Sequence, residues 1–140
     1  MNFSHGMYSG AVPVRRRFGN WAFLLLRSAQ GWQFISGARG DDEALPEAAR
    51  RQAWEVAAIP VLRFYWGHHH FTLEGDDGAE VQYIIGESAS GELVLADTWL
   101  EHRWVSASLA AEILPEAMSP LVHWADAILT GADGTPGVKR

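Results

Sequence analysis

An α/β fold, with a mixed β-sheet sandwiched between helices, is predicted by three features of the sequence. Residues 21–28 (WAFLLLRS) form an unbroken apolar run of strand length, the pattern of a strand buried on both faces. Between 46 and 57, Ala49, Ala53 and Val56 or Ala57 recur at helical spacing, which leaves Arg50, Gln52 and Glu55 off the apolar stripe. Two strand candidates, 60–74 and 79–86, flank the turn sequence Gly75-Asp76-Asp77-Gly78 and read as a hairpin. At 140 residues the chain is long enough for one cored domain, placed at 1–131, with a flexible Gly/Pro-rich tail at 132–140.

In chain order, residues 6–17 alternate as a first strand. Pro13 has no N–H to give to a ladder and so predicts an edge position or a bulge. Residues 18–20 turn the chain into the 21–28 strand, 29–31 turn it again, and 32–34 read as a short strand. Residues 35–44 read as loop. The helix at 46–57 starts on Pro46, tolerated where a first-turn N–H has no partner, and Glu47 suits the positive end of its dipole. After the hairpin come a loop at 88–91, a short strand at 99–105 and helices at 108–114 and 119–129. In the last of these, Leu121, Trp124, Ala125 and Ile128 share a face.

Composition narrows the function classes. Hydrophobic residues make up 48% and charged residues 20%, which is globular rather than disordered. A formal charge of -6 argues against a nucleic-acid-binding surface but leaves room for a small phosphorylated ligand held by a few local arginines. With no cysteine there is neither disulfide nor thiolate chemistry. No apolar stretch approaches the roughly 20 residues of a membrane span, and the N-terminus lacks a basic start followed by an apolar run, so the expectation is a cytoplasmic protein away from membranes.

The stretch from 37 to 59, GARGDDEALPEAARRQAWEVAAI, resembles the Nudix box, G-x(5)-E-x(7)-R-E-U-x-E-E-x-G-U with U a bulky apolar residue. Gly37, Glu43, Arg51, Glu55 and Ile59 match. Gln52 and Val56 stand where glutamates belong, Ala58 stands where the glycine belongs, and Ala53 replaces a larger residue. Outside the box, SGAVPVRRR with FLLLR resembles the family's opening strands in its diadenosine tetraphosphate hydrolase branch. WQFISG stands where that branch carries W-x-F-P-K-G, so that Ser36 takes the place of a lysine. EHRWVSASLAAEIL resembles a late E-x-R-W-V with a short helix. The resemblance runs from about residue 9 to 129. It implies the Nudix α/β/α sandwich and hydrolysis of a nucleoside diphosphate linkage, a dinucleoside polyphosphate or nucleotide, with Mg2+ or Mn2+. Family members are often homodimers, and no residue of this chain decides that point.

By the same resemblance, Glu55 and Glu101 are the metal ligands, Glu101 is also the candidate base, and Glu43 and Arg51 brace the box loop, whose first glycine is Gly37. Gln52 lies three residues before Glu55 on a helix and so faces the same way, where its amide can orient a metal-bound water but carries no charge. Glu47, two turns before Glu55, is a further carboxylate that can lean toward the site. Among five arginines that can replace the missing lysine, Arg27 and Arg39 are the phosphate clamps, while Arg15, Arg16 and Arg17 read more plainly as a solvated strand end.

Three readings of the box stand. It is an active hydrolase with a reduced ligand set, or a catalytically silent domain that senses a nucleotide or binds a protein, or a fold in which Glu55 is merely a solvated helix residue. His68, His69 and His70 offer an H-x-H pair on a strand, but no third ligand is identifiable and partly exposed histidines are the plainer reading. Phe64 and Trp66 on one strand face, Tyr65 on the other and Tyr83 on the partner strand are candidates for stacking a base. Of the seven Trp, Trp32, Trp54, Trp104 and Trp124 are expected in the core.

Overall fold

The computed structural model describes residues 8–67, 69–75 and 78–131. The strand start at 6–7, His68, the turn residues Asp76 and Asp77, and the tail at 132–140 lie outside the described residues. The predicted sandwich is the observed fold. Ten-residue β1 (Tyr8–Arg17) runs through the middle of a mixed sheet. On one side it pairs parallel to β7 (Glu80–Ser88), with Tyr8 opposite Val81. On the other it pairs antiparallel first with β4 (Ile35–Ala38) and then with β2 (Asn20–Ser28). Beyond β2 lie β3 (Gly31–Gln33) and β8 (Glu101–Val105), and beyond β7 lie β5 (Leu62–Arg63) and β6 (Phe71–Glu74).

The alternation of a strand buried on both faces supplies two cores. Leu24 and Leu26 of β2 and Ala11 of β1 pack with Ala49, Ala53 and Ala57 of α1 (Leu45–Ala57). Phe23, Leu25, Val12 and Val14 point the other way, onto Ala110 of α2 (Ala107–Ile113) and Leu121, Ala125 and Ile128 of α3 (Ser119–Thr130). Small alanines on α1 let the helix approach the sheet closely. On the opposite face the large side chains of β1 and β2 are covered by two helices, α2 and α3. Ser106 caps α2 by accepting the N–H of Leu109 at 3.2 Å.

Several expectations are corrected. Pro13 is in a central strand rather than at an edge. On the antiparallel side, β4 reaches only to Ala11 and β2 begins only at Val14, so Pro13 falls in the gap where the neighbour changes and no antiparallel partner needs its N–H. Residues 35–38 are strand, not loop, because β1 is too long to be paired by β2 alone. The long strand expected at 60–74 is broken. Leu62 and Arg63 pair with Ser88 and Glu87, and Phe71 resumes the ladder opposite Tyr83. Of the residues between, 64–67 and 69–70 are out of the sheet, with Gly67 N–H on the Phe64 carbonyl at 3.1 Å and His69 N–H on the Trp66 carbonyl at 2.9 Å. That excursion drops the Trp66 ring, 5% exposed, against the edge of Trp21. Phe64, Tyr65 and Trp66 therefore do not alternate across a strand.

Gln52 lies in the buried stripe of α1, not off it, and Trp54 is 59% exposed rather than in the core. The two corrections are one rotation: the stripe includes Ala48, Ala49, Gln52 and Ala53, which turns Trp54 outward. The helix ends on Ala58 in the left-handed region, φ 54° and ψ 37°. Its N–H donates to the Trp54 carbonyl at 2.9 Å and the next N–H, of Ile59, reaches back to Ala53 at 3.2 Å, the pattern of a Schellman cap that glycine ordinarily supplies.

Candidate functional site

The site is built at one end of the sheet. β1 begins with Tyr8 opposite Ala38 and ends with Arg17 opposite Asn20, so β2 returns to the Tyr8 end, where Arg27 faces Glu101 of β8. The loop from β4 into α1 leaves from that same end. Gly37, Arg51, Gln52, Arg27 and Glu101 are thereby gathered on the end of the sheet that β4 hands to the helix.

Arg51 organises the loop. Its Nε donates to Glu43 Oε2 at 2.7 Å and its Nη2 to Glu43 Oε1 at 2.9 Å, a two-pronged contact that matches guanidinium to carboxylate. The same Nη2 reaches the Ala38 carbonyl at 3.0 Å and Nη1 reaches Glu55 Oε1 at 3.1 Å. Glu43 also accepts the Gly40 N–H at 3.0 Å, so the loop is pinned at both ends. The Arg51 hydrogen bonds, followed by the Gly40 N–H, hold the Glu43 carboxyl down at about 2, and the nearby charge of Arg39 acts in the same direction.

Gln52, 3% exposed, is turned inward. Its amide nitrogen donates to Ser9 Oγ at 3.2 Å and to the Ala38 carbonyl at 3.1 Å, tying α1 to β1 and β4 beneath Gly37. Glu47 is likewise committed, its carboxylate accepting the N–H of Ala44 at 3.1 Å at the helix start. Ala44 has no side-chain acceptor to reciprocate, so this is half of a capping box.

Glu55, on the exposed side of α1, is paired with Arg51. Glu101 accepts both Nε of Arg27 at 3.2 Å and its Nη2 at 2.8 Å on the single oxygen Oε1. The candidate ligand and the candidate clamp are thus partners of each other. Trp32, expected in the core, is partly buried beside this pair. It lies opposite Arg27 in the β2–β3 ladder, with the guanidiniums of Arg27 and Arg103 at 6.0 and 5.9 Å from its ring. Sequence reasoning missed it as a site ring, and the cross-strand register of the short β3 was the signal that could have found it.

Tyr83 is not at this surface. It is 5% exposed, edge-on to Phe34 at 6.3 Å, and its ring fills the space over Gly10, where a Cβ would overlap it. Burial pushes its phenol up, against a hydrogen bond with Ser36. His69 is partly buried and His70 exposed. Among the described residues no three or more His, Asp or Glu side chains converge on a metal position. No helix is long and apolar enough to cross a membrane.

The NUDIX domain profile matches residues 6–125. The chain belongs to the NUDIX domain family. Its fold is similar to that of an Ap4A hydrolase from C. elegans in a binary complex, at 24% identity, covering 89% of this chain and 98% of that one with a TM-score of 0.80. It is similar also to a MutT protein from Methanosarcina mazei Go1, at 22% identity, 85% and 91% coverage and a TM-score of 0.66. A third is the NUDIX domain of NrtR from Shewanella oneidensis, complexed with ADP ribose, at 12% identity, 89% and 88% coverage and a TM-score of 0.66. At these identities the likeness is one of fold. No curated protein matches the sequence. Within this NUDIX domain the loop brace of Glu43 and Arg51 is formed, while the positions of Gln52 and Val56 bring no carboxylate.

Proposed function

We propose that this NUDIX domain hydrolyses a nucleoside diphosphate linkage, in a dinucleoside polyphosphate or a nucleotide, with a divalent cation of the magnesium kind held by Glu55 and Glu101. The observation that carries the reading is the formed loop brace: Arg51 positions Glu55 and fixes the box loop, as a phosphate-handling loop requires. The donors fit such a cation in kind. Magnesium takes one or two carboxylates and completes its shell with water and phosphate oxygens, and Glu55 and Glu101 each keep Oε2 without a hydrogen-bond partner among the described residues. When bound, the cation neutralises phosphate charge and lowers the pKa of a water.

The chain's own residues do the rest. Arg27, already oriented by Glu101, and Arg39, at the mouth of the box loop, supply guanidinium donors to the phosphate chain. Trp32 offers a ring face beside Arg27 for the base. Glu101 is the candidate base that takes a proton from the attacking water. Gln52 acts through the fold, holding Ala38 and Gly37 in place, a role different from the water-orienting one expected of it from sequence.

Binding without cleavage is the second reading, and it has its own support: Gln52 is turned into the core and Val56 offers no donor, so the ligand set is short of charge. Missing charge stabilisation acts in the transition state and costs rate more than affinity. The experiment is turnover of diadenosine polyphosphates, nucleoside triphosphates and nucleotide sugars with magnesium or manganese, wild type beside Glu55→Gln and Glu101→Gln. Metal-dependent cleavage abolished by both substitutions supports the hydrolase. Nucleotide binding without cleavage supports the sensor, and absence of both leaves a protein-interaction domain.

A further inference from the structure

At the sheet end opposite the box, a cleft of about 530 Å3 opens between the β1–β2 turn, the start of α2 and the last turn of α3. Its walls include Arg16, Asn20, Trp21, Ser106, Ser108 and Asp126. Clefts of about 300–1,000 Å3 hold ligands of nucleotide size. Arg16 stands opposite Trp21 in the ladder, its guanidinium 4.8 Å from the ring centroid. A cation held over a ring face spends none of its N–H donors.

Neither Arg16 nor Asp126 is in an ion pair among the described residues, with each other or with any other group. A cation and a carboxylate thus line one cleft free of ion pairs, with the Trp21 indole of β2 beside Arg16 and hydroxyls on the α2 side. Such a set complements a molecule with an anion at one end, a flat body, and adjacent N–H donors at the other.

We infer that this cleft is a second ligand site, separate from the box, that takes a guanine nucleoside monophosphate. The phosphate meets Arg16, the base lies against the surface of the Trp21 ring that Arg16 leaves uncovered, and the Asp126 carboxylate accepts the two neighbouring N–H groups of the guanine edge, one to each oxygen. Adenine presents a ring acceptor beside its amino group and would set a lone pair against the carboxylate, so the site discriminates between the two bases.

The test is calorimetric titration of the whole chain with GMP, AMP, guanosine and inorganic phosphate, in EDTA so that no metal serves the box. The expected result is GMP binding at least tenfold tighter than AMP, guanosine or phosphate. Arg16→Gln and Asp126→Asn each weaken it at least tenfold, and Glu55→Gln leaves it unchanged. Arg16 is exposed and Asp126 only partly buried, and unchanged circular dichroism checks that both variants fold. No GMP binding at millimolar concentration, equal affinity for AMP, or binding that Glu55→Gln removes and Arg16→Gln spares would each overturn the inference.

Discussion

Arg27 and Glu101 face each other across β2 and β8 and meet through one oxygen, both Nε and Nη2 of the guanidinium donating to Glu101 Oε1 at 3.2 and 2.8 Å. Their side chains are 38% and 44% exposed, so as a stabilising ion pair the contact is worth about 0–1 kcal/mol. If the pair serves the ligand, its cost shows elsewhere. A double-mutant cycle with Arg27→Gln and Glu101→Gln should move the urea midpoint little. Turnover, by contrast, should fall about 100-fold or more for Glu101→Gln, the range of a lost transition-state contact. Equal and small effects on both would reduce the pair to a surface contact.

Glu43 makes the box loop acid-sensitive. Its carboxyl is held at about 2 in the folded protein against an ordinary value of 4.5. A lowered folded value means that the unfolded chain takes up the proton first. The stabilisation is therefore complete above about 4.5 and is lost as pH falls from there toward about 2. Carbon-detected titration of Glu43 should report the low midpoint, and Glu43→Gln should remove this part of the pH dependence while leaving the rest of the acid limb. An unshifted Glu43 midpoint would contradict the two-pronged contact with Arg51.

The helix cap carries a removable strain. Ala58 adopts φ 54°, a conformation that costs a residue with a Cβ roughly 1–2 kcal/mol and glycine almost nothing. Glycine gives some of this back through a freer unfolded chain. Ala58→Gly is expected to stabilise by about 1 kcal/mol, read as a higher denaturation midpoint with an unchanged slope. A loss of stability would mean that the cap is held by contacts the glycine cannot keep.

Much of this was legible in the residues. The continuous run from Ala22 to Leu26 announced a strand buried on both faces, and its alternate side chains do enter two different cores. The brace of Glu43 by Arg51 was legible too, because the resemblance assigned those positions to one another. What failed had a tertiary cause. Nothing local in 60–74 says that Trp66 will be drawn out of the ladder to meet Trp21. Nor does helical spacing alone say that a polar Gln52 will be buried, since its reward is a serine 43 residues earlier in the chain and a carbonyl of β4. Pro13 misled for a related reason: the gap between two partner strands is a property of the sheet, not of the strand.

Val56 is where the missing charge can be returned. It follows Glu55 on α1, it is only partly buried, and the resemblance places the second glutamate of the pair at this position. Its backbone carbonyl accepts Ala96 N–H at 2.9 Å and will do so with any side chain, so Val56→Glu need not disturb the strap of loop against helix. Gln52→Glu is the harder exchange, because a carboxylate there would be buried and would face the Ala38 carbonyl in place of the amide donor. If Glu55 and Glu101 hold the cation, Val56→Glu should raise its affinity and speed cleavage at least tenfold at limiting magnesium, with a stability loss of about 1 kcal/mol from the apolar contacts given up. Gln52→Glu should unfold at a lower denaturant concentration than Val56→Glu. Magnesium dependence of turnover, measured beside the denaturation midpoints, separates the two. A Val56→Glu variant that folds yet binds magnesium no more tightly would place the cation site away from this helix face.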